Sequence, residues 1–159
     1  MSASPRLDDL RKQLEAAYRR RAWHGSNLRG LLRGVDARRA AFRTQPRRHN
    51  LWELIVHCAY WKYAVRRQIS GERRGGFPLK GSNWFKRPVE PTEAAWRADL
   101  RLLDREHERL MDLLSSLPAG ALDRKPAGSR FTVAELLAGA AAHDLYHAGQ
   151  VALLKRLAP

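Results

Sequence analysis

Four segments of the chain repeat their apolar residues every three or four positions, and no segment alternates apolar with polar residues as a half-buried strand does. That spacing predicts helices. The first opens at Pro5, a residue tolerated at a helix start, and carries Leu7, Leu10, Leu14 and Tyr18 on one side. It breaks at the stretch HGSN, residues 24–27, where Gly25 and Ser26 interrupt the pattern, and resumes as LRGLLRGV. After a polar stretch from Asp36 to His49, Asn50 is placed to cap a second helix that runs to a stop at Gly71. Its apolar spacing predicts an inward row of Leu54, His57, Trp61, Val65 and Gln68. A third helix begins near Thr92 and turns Trp96, Leu100, Leu103, His107, Leu110 and Leu114 to one side. The fourth starts at the stretch TVAE, residues 132–135, which has the spacing of a capping box. It runs to about Arg156 with Leu136, Ala140, His143, His147, Gln150 or Val151, and Leu154 inward. Four amphipathic helices in 159 residues pack most simply as an all-α four-helix bundle, expected as a single domain over residues 1–159. Residues 71–90, rich in glycine and proline, form a long crossover between the second and third helices, and connections of that length usually belong to a site.

Composition narrows the setting. Cys58 is the only cysteine, so no internal disulfide can form, which suits a reducing cytoplasm. The first residues turn charged at once and no long apolar run occurs, so neither a targeting segment nor a membrane span is expected. Thirty Lys and Arg stand against 16 Asp and Glu, a formal net charge of +14. That balance invites a nucleic-acid reading. The cations are nearly all arginine, with lysine only at Lys12, Lys62, Lys80, Lys86, Lys125 and Lys155, and they are scattered rather than gathered in a tail. Scatter of this kind fits a solvated surface better than a recognition patch.

The stretch HDLYHAGQ, residues 143–150, places two histidines four apart, one helical turn from each other on the same inward side. Such a pair is a natural two-ligand metal geometry. His57 lies on the inward row of the second helix, so packing can bring a third imidazole to the first two. Three buried neutral imidazoles without a cation leave donors and acceptors unsatisfied, and any protonated ring would repel the others. Coordination uses their lone pairs, and three histidines leave a position open, as catalytic zinc sites do.

The combination of His57 within WELIVHCAYW, a long crossover, and HDLYHAGQ in the last helix resembles the DinB-like superfamily, which includes YfiT-like metal-dependent hydrolases and thiol transferases acting with bacillithiol or mycothiol. The resemblance covers nearly the whole chain. It implies an up-down-down-up bundle, frequent homodimers, and one divalent metal, zinc or nickel, held by His57, His143 and His147. It also implies a metal-dependent thiol S-transferase or hydrolase acting on a small-molecule substrate, with a low-molecular-weight thiol among the candidates. The alternatives are a binding module whose basic surface holds nucleic acid or another polyanion, and a metal-free scaffold whose histidines fill the core.

Further candidates flank the ligands. Asp144, read as lying off the inward row, is expected to accept a ring N–H from a ligand or to be an exposed acid or arginine partner. Glu53, one turn before His57, is a candidate for the same role or for a general base. His24 at the break is a candidate pocket residue, and His107 a candidate fourth ligand. Gln150 is expected to orient a ligand or to cap the polar pocket. Trp61, Trp84, Phe85 and Trp96 read as core or loop anchors, with Trp84 and Phe85 in the crossover that lids the site. Arg66 or Arg67 is a candidate to attract an anionic substrate. Cys58 is expected to point away from the histidines as a packing residue.

Overall fold

The structure, a computed structural model, describes residues 5–159; the expectations for residues 1–4 lie outside it. The described chain has six α-helices, one 3-10 turn at Ala119–Ala121, and no strand. Four helices are long: α1 (Pro5–Tyr18), α4 (Leu51–Ser70), α5 (Glu93–Ser116) and α6 (Val133–Leu157). Two are short: α2 (Leu28–Leu31) and α3 (Ala37–Ala41). α4 packs against α5 and α6, and α1 against α6. No described helix is long and apolar enough to cross a membrane.

The helix boundaries follow from local chemistry. Asn50 caps α4 by accepting the Glu53 N–H, and Gly71 closes it in the left-handed region at φ 78°. Such a backbone favours glycine, because a Cβ crowds the neighbouring carbonyl there. Thr92 caps α5. Thr132 and Glu135 satisfy each other's backbone N–H groups in the capping box that opens α6. The region between α1 and α4 departs from the sequence reading. The segment expected to resume as one helix holds only the single turn of α2, capped by Asn27, and the polar stretch before His49 contains α3, capped by Asp36. Side-chain caps start both, and neither is long enough to show a period.

Two apolar clusters fill the interior. One gathers Tyr18, Trp52, Ile55, Cys58, Trp96 and Leu103; the other gathers Leu14, Ile69, Leu110, Leu114, Leu122 and Leu137. The indole N–H of Trp52 donates to Asp99 at 2.7 Å and that of Trp96 to the Val35 carbonyl at 2.8 Å, so both large rings are buried without an unpaired donor. Between the clusters lies a polar layer with one residue from each long helix: Glu15, Lys62, His107 and Asp144, all buried. The Lys62 ammonium donates to Asp144, sits 3.3 Å from His107 Nδ1, and lies 4.7 Å from the centre of the Tyr18 ring. His107 stacks on Tyr18 with ring centres 4.0 Å apart, and Glu15 approaches its other nitrogen at 3.6 Å. The Tyr18 hydroxyl donates to Asp104, which also takes Arg29 Nε at 2.8 Å.

This layer corrects two expectations. His107 lies in the middle of the fold and belongs to the Lys62 network rather than to a metal site. Asp144 is 1% exposed and paired with a lysine, so it is neither a surface acid nor an arginine partner. The buried side of α6 carries Val133, Leu137, Ala140, Asp144, His147 and Val151: Ala140, His147 and Val151 lie inward as expected, whereas Leu137 and Asp144 are buried in place of their neighbours Leu136 and His143. On α4, Trp61 is 39% exposed, and the interior position one step on belongs to Lys62.

Removing either member of the Lys62–Asp144 pair strands the other charge in the interior. Lys62→Ala and Asp144→Ala are each expected to destabilise by about 3–5 kcal/mol, read as a lowered urea midpoint. The double variant Lys62→Met/Asp144→Leu, with no charge left to strand, is expected to recover most of that loss.

Candidate metal centre

α4 contributes His57 and α6 contributes His143 and His147. Nε2 of His143 lies 3.1 Å from Nε2 of His57 and 3.1 Å from Nε2 of His147, and the ligand atoms of all three residues fall within 4.8 Å of one another. Imidazole nitrogens at about 2.0–2.1 Å from a tetrahedral cation sit about 3.3 Å apart, so the spacing is that of a shared cation.

The outer nitrogens decide what the inner ones can do. His57 Nδ1 donates to the carbonyl of Asn83 at 2.9 Å, and His147 Nδ1 donates to Oε1 of Gln150 at 2.7 Å. Both neutral rings therefore carry their proton on Nδ1 and present a bare lone pair at Nε2. His143 has one Nε2 proton at most, and it can serve only one of the two neighbours. A cation accepts all the lone pairs together. Burial favours the neutral state: it pushes His57 down to about 4 and His143 to about 3, with repulsion from neighbouring positive groups adding to the effect. His147 is lowered by burial as well, with the Gln150 hydrogen bond opposing. The three residues thus fit a divalent cation in position, tautomer and charge.

The crossover between α4 and α5 completes the surroundings. Asn83, at φ 66°, turns its carbonyl to His57, and its side chain accepts the Trp61 indole N–H at 2.9 Å. Trp84 stacks on His57, ring centres 3.9 Å apart, and on its opposite face stacks on His49 at 3.7 Å. Phe77 and Phe85 anchor the segment by packing against Tyr60 of α4, with centres 5.3 and 5.6 Å away. Beside the cluster, a groove of about 450 Å³ runs past His49, Trp84, Tyr146, His147 and Gln150, with Arg48 at its edge.

Glu53 is buried next to this arrangement and does not turn toward the histidines. Its oxygens receive Arg43 at 2.5 and 3.0 Å, His49 Nδ1 at 2.9 Å and the Arg87 N–H at 3.2 Å. Burial raises its pKa, but the hydrogen bonds from Arg43 and His49 outweigh that and leave it below the usual carboxylate range. It is an ionised acceptor that holds His49 against Trp84, with no free lone pair for a base. Asp144 likewise accepts no ring N–H from a ligand; Lys62 donates to one of its oxygens, and the other has no hydrogen-bond partner. His24 is exposed beside Trp23 and stands apart from the cluster. Cys58 is fully buried in the core, and burial raises its thiol pKa, as suits a packing residue, but its Sγ comes within 4.8 Å of a ring nitrogen of His143 rather than pointing away from the histidines as expected. Arg66 is paired with Glu72 and Glu106, whereas Arg67 lines a different groove, along the crossover.

Sequence reading missed three contributors. Asn83 stands in the small polar run GSNW, whose turn-forming residues were the available signal. His49 and Arg43 lie before the Asn50 cap in a stretch with no periodicity, which offered none.

Lowered histidine pKa values make stability depend on pH. The folded rings of His57, His107 and His143 titrate at about 4, 3 and 3, below the unfolded value of about 6.5. As pH falls from about 6.5 toward the folded values, the unfolded chain binds protons that the folded chain refuses, and each ring costs about 1.4 kcal/mol per pH unit. The melting temperature of chelator-treated protein is expected to fall between pH 7 and pH 4, and less steeply in His107→Phe, whose ring gains no proton. A flat profile in the wild type would contradict the buried neutral rings.

The family model of the DinB superfamily matches residues 20–151, a span that includes His57, His143 and His147. Neither the curated proteins nor the solved structures give a significant match. On the extent of that match, together with its all-helical fold, the chain belongs to the DinB superfamily.

Proposed function

We propose that the chain is a metal-dependent thiol S-transferase whose single divalent cation, zinc or nickel, is held by His57, His143 and His147. The convergence of three Nε2 atoms that cannot all be satisfied by hydrogen bonds carries this reading. When bound, such a cation supplies Lewis acidity that lowers the pKa of a small thiol or water taking a remaining position. Asn83 and Gln150 keep the ring protons of His57 and His147 on Nδ1, so their lone pairs stay aimed inward. Trp84 covers the face of His57 and excludes water from it. The groove along Tyr146 and His147 receives the substrate, with Arg48 at its edge attracting an anionic group.

The same site serves hydrolysis in principle, and the choice between the two turns on a general base. Hydrolysis commonly uses a free carboxylate to take a proton from the attacking water. The carboxylates that flank the ligands in sequence, Glu53 and Asp144, are both committed to ion pairs. A thiol is the stronger acid and, next to a cation, would lose its proton to solvent near neutral pH, so that its thiolate needs no protein base, which favours transfer.

We take the fold as a single-domain, up-down-down-up bundle working in the cytoplasm. We also take the molecule as a homodimer, as its resemblance to the superfamily implies. Against a polyanion-binding role stands the use of many arginines in internal pairs, among them Arg19 with Glu15, Arg29 with Asp104 and Arg87 with Asp99.

Elemental mass spectrometry of tag-free protein purified without chelator is expected to find about one zinc or nickel per chain, and little in His147→Ala. Wild type that is metal-free and takes up no added metal would overturn the reading. Gln150→Ala, which frees the His147 ring to turn, is expected to weaken metal affinity by about 10–100-fold in a chelator competition. With metal in place, loss of free thiol in the presence of an alkylating electrophile should follow metal occupancy.

A further inference from the structure

A second groove, of about 810 Å³, lies between the later part of α4 and the crossover, and it shares no lining residue with the groove beside His147. Its apolar lining includes Trp61, Tyr60, Pro78 and Leu79, backed by the buried rings of Tyr63 and Phe77, packed 5.4 Å apart. Arg67, Arg74 and Lys80 line it as well, and no acidic residue does. Among the described residues none of these three cations has a carboxylate within ion-pair distance. Arg66, next to Arg67 on α4, is by contrast paired with Glu72 and Glu106. The crossover wall is shaped by turns at Gly75 and Gly81, at φ 103° and 110°, where side chains with a Cβ are strained.

We propose that this groove binds a small organic anion with a flat apolar body bearing a carboxylate or phosphate. The volume and the aromatic lining suit a small ligand, and three uncompensated cations on one concave surface supply the attraction and orient the anionic end. Trp61 forms part of the wall, with its ring centre 6.2 Å from that of His143 and 6.3 Å from that of His57. A ligand seated there lies alongside the three histidines, separated from them by one indole. The inference rests on the groove alone and holds whether or not the histidines carry a metal.

The test is titration of the full-length protein, as purified and again after chelator treatment, with 2-naphthoate and 2-naphthyl phosphate, followed by calorimetry and tryptophan fluorescence. Neutral 2-naphthamide is the comparison. At least one anion is expected to bind saturably, about tenfold or more tighter than the amide, and equally well with and without metal; the tighter of the two identifies the anionic group. Arg67→Gln/Arg74→Gln is expected to remove that preference. Ala64→Trp, which fills the groove without changing its charge, is expected to abolish binding even if the double variant fails to fold. Arg48→Gln, in the other groove, is expected to leave binding unchanged. Binding without preference for the anions, absence of binding, survival of binding in Ala64→Trp, or its loss in Arg48→Gln would each overturn the proposal. Because every arm is read on metal-free protein too, failure here is separable from failure of the metal site.

Discussion

Lys62 and Asp144 are each tolerable in the interior only because the other is there. One belongs to α4 and the other to α6, and they meet between two apolar clusters where water cannot substitute for either. That requirement fixes how the two helices are rotated against each other. His57 stands five residues before Lys62, and His143 is the direct neighbour of Asp144, so the rotation that joins the charges also turns His57 toward His143. The histidine centre is therefore the outward-leaning side of a packing arrangement whose inward side is an ion pair. Tyr18 and His107 extend the arrangement to α1 and α5.

The crossover is part of the centre as much as the helices are. It supplies the carbonyl that sets the tautomer of His57, the indole that covers that ring, and one wall of each groove beside it. Its position rests on Phe77 and Phe85 packing onto α4, and on Asn50, whose amide donates to the Arg87 carbonyl at 2.8 Å while its oxygen caps the helix. One side chain thus ends the crossover and begins α4.

The helices and the three histidines were legible because both signals are local and periodic. Caps at Asn50, Thr92 and Thr132 sit where their hydrogen-bonding side chains require, and a four-residue spacing puts His143 beside His147 whatever surrounds them. Rotation about the helix axis was harder to read. Trp61 and Lys62 are neighbours, and hydrophobicity favours the tryptophan as the inward residue, yet the lysine lies inside because Asp144 awaits it there. An apolar pattern cannot register a buried charge whose partner is 82 residues away. The roles of Glu53 and Asn83 were hidden for a related reason: each depends on a loop backbone, and loop conformation has no period to detect.

The centre joins contacts of two very different ranges. His143 and His147 are four residues apart on one helix, whereas His57 and His143 are separated by 86. The close pair exists as soon as α6 winds up, before the chain has closed the loop that brings His57 to it. A partly folded molecule thus already offers a two-ligand site, and metal that binds it there does not discriminate fully between folded and unfolded chains. Only the affinity added by the third imidazole counts entirely toward the stability of the finished fold. Metal supplied during refolding would meet the HxxxH pair first and then wait for the rest of the protein to assemble around it.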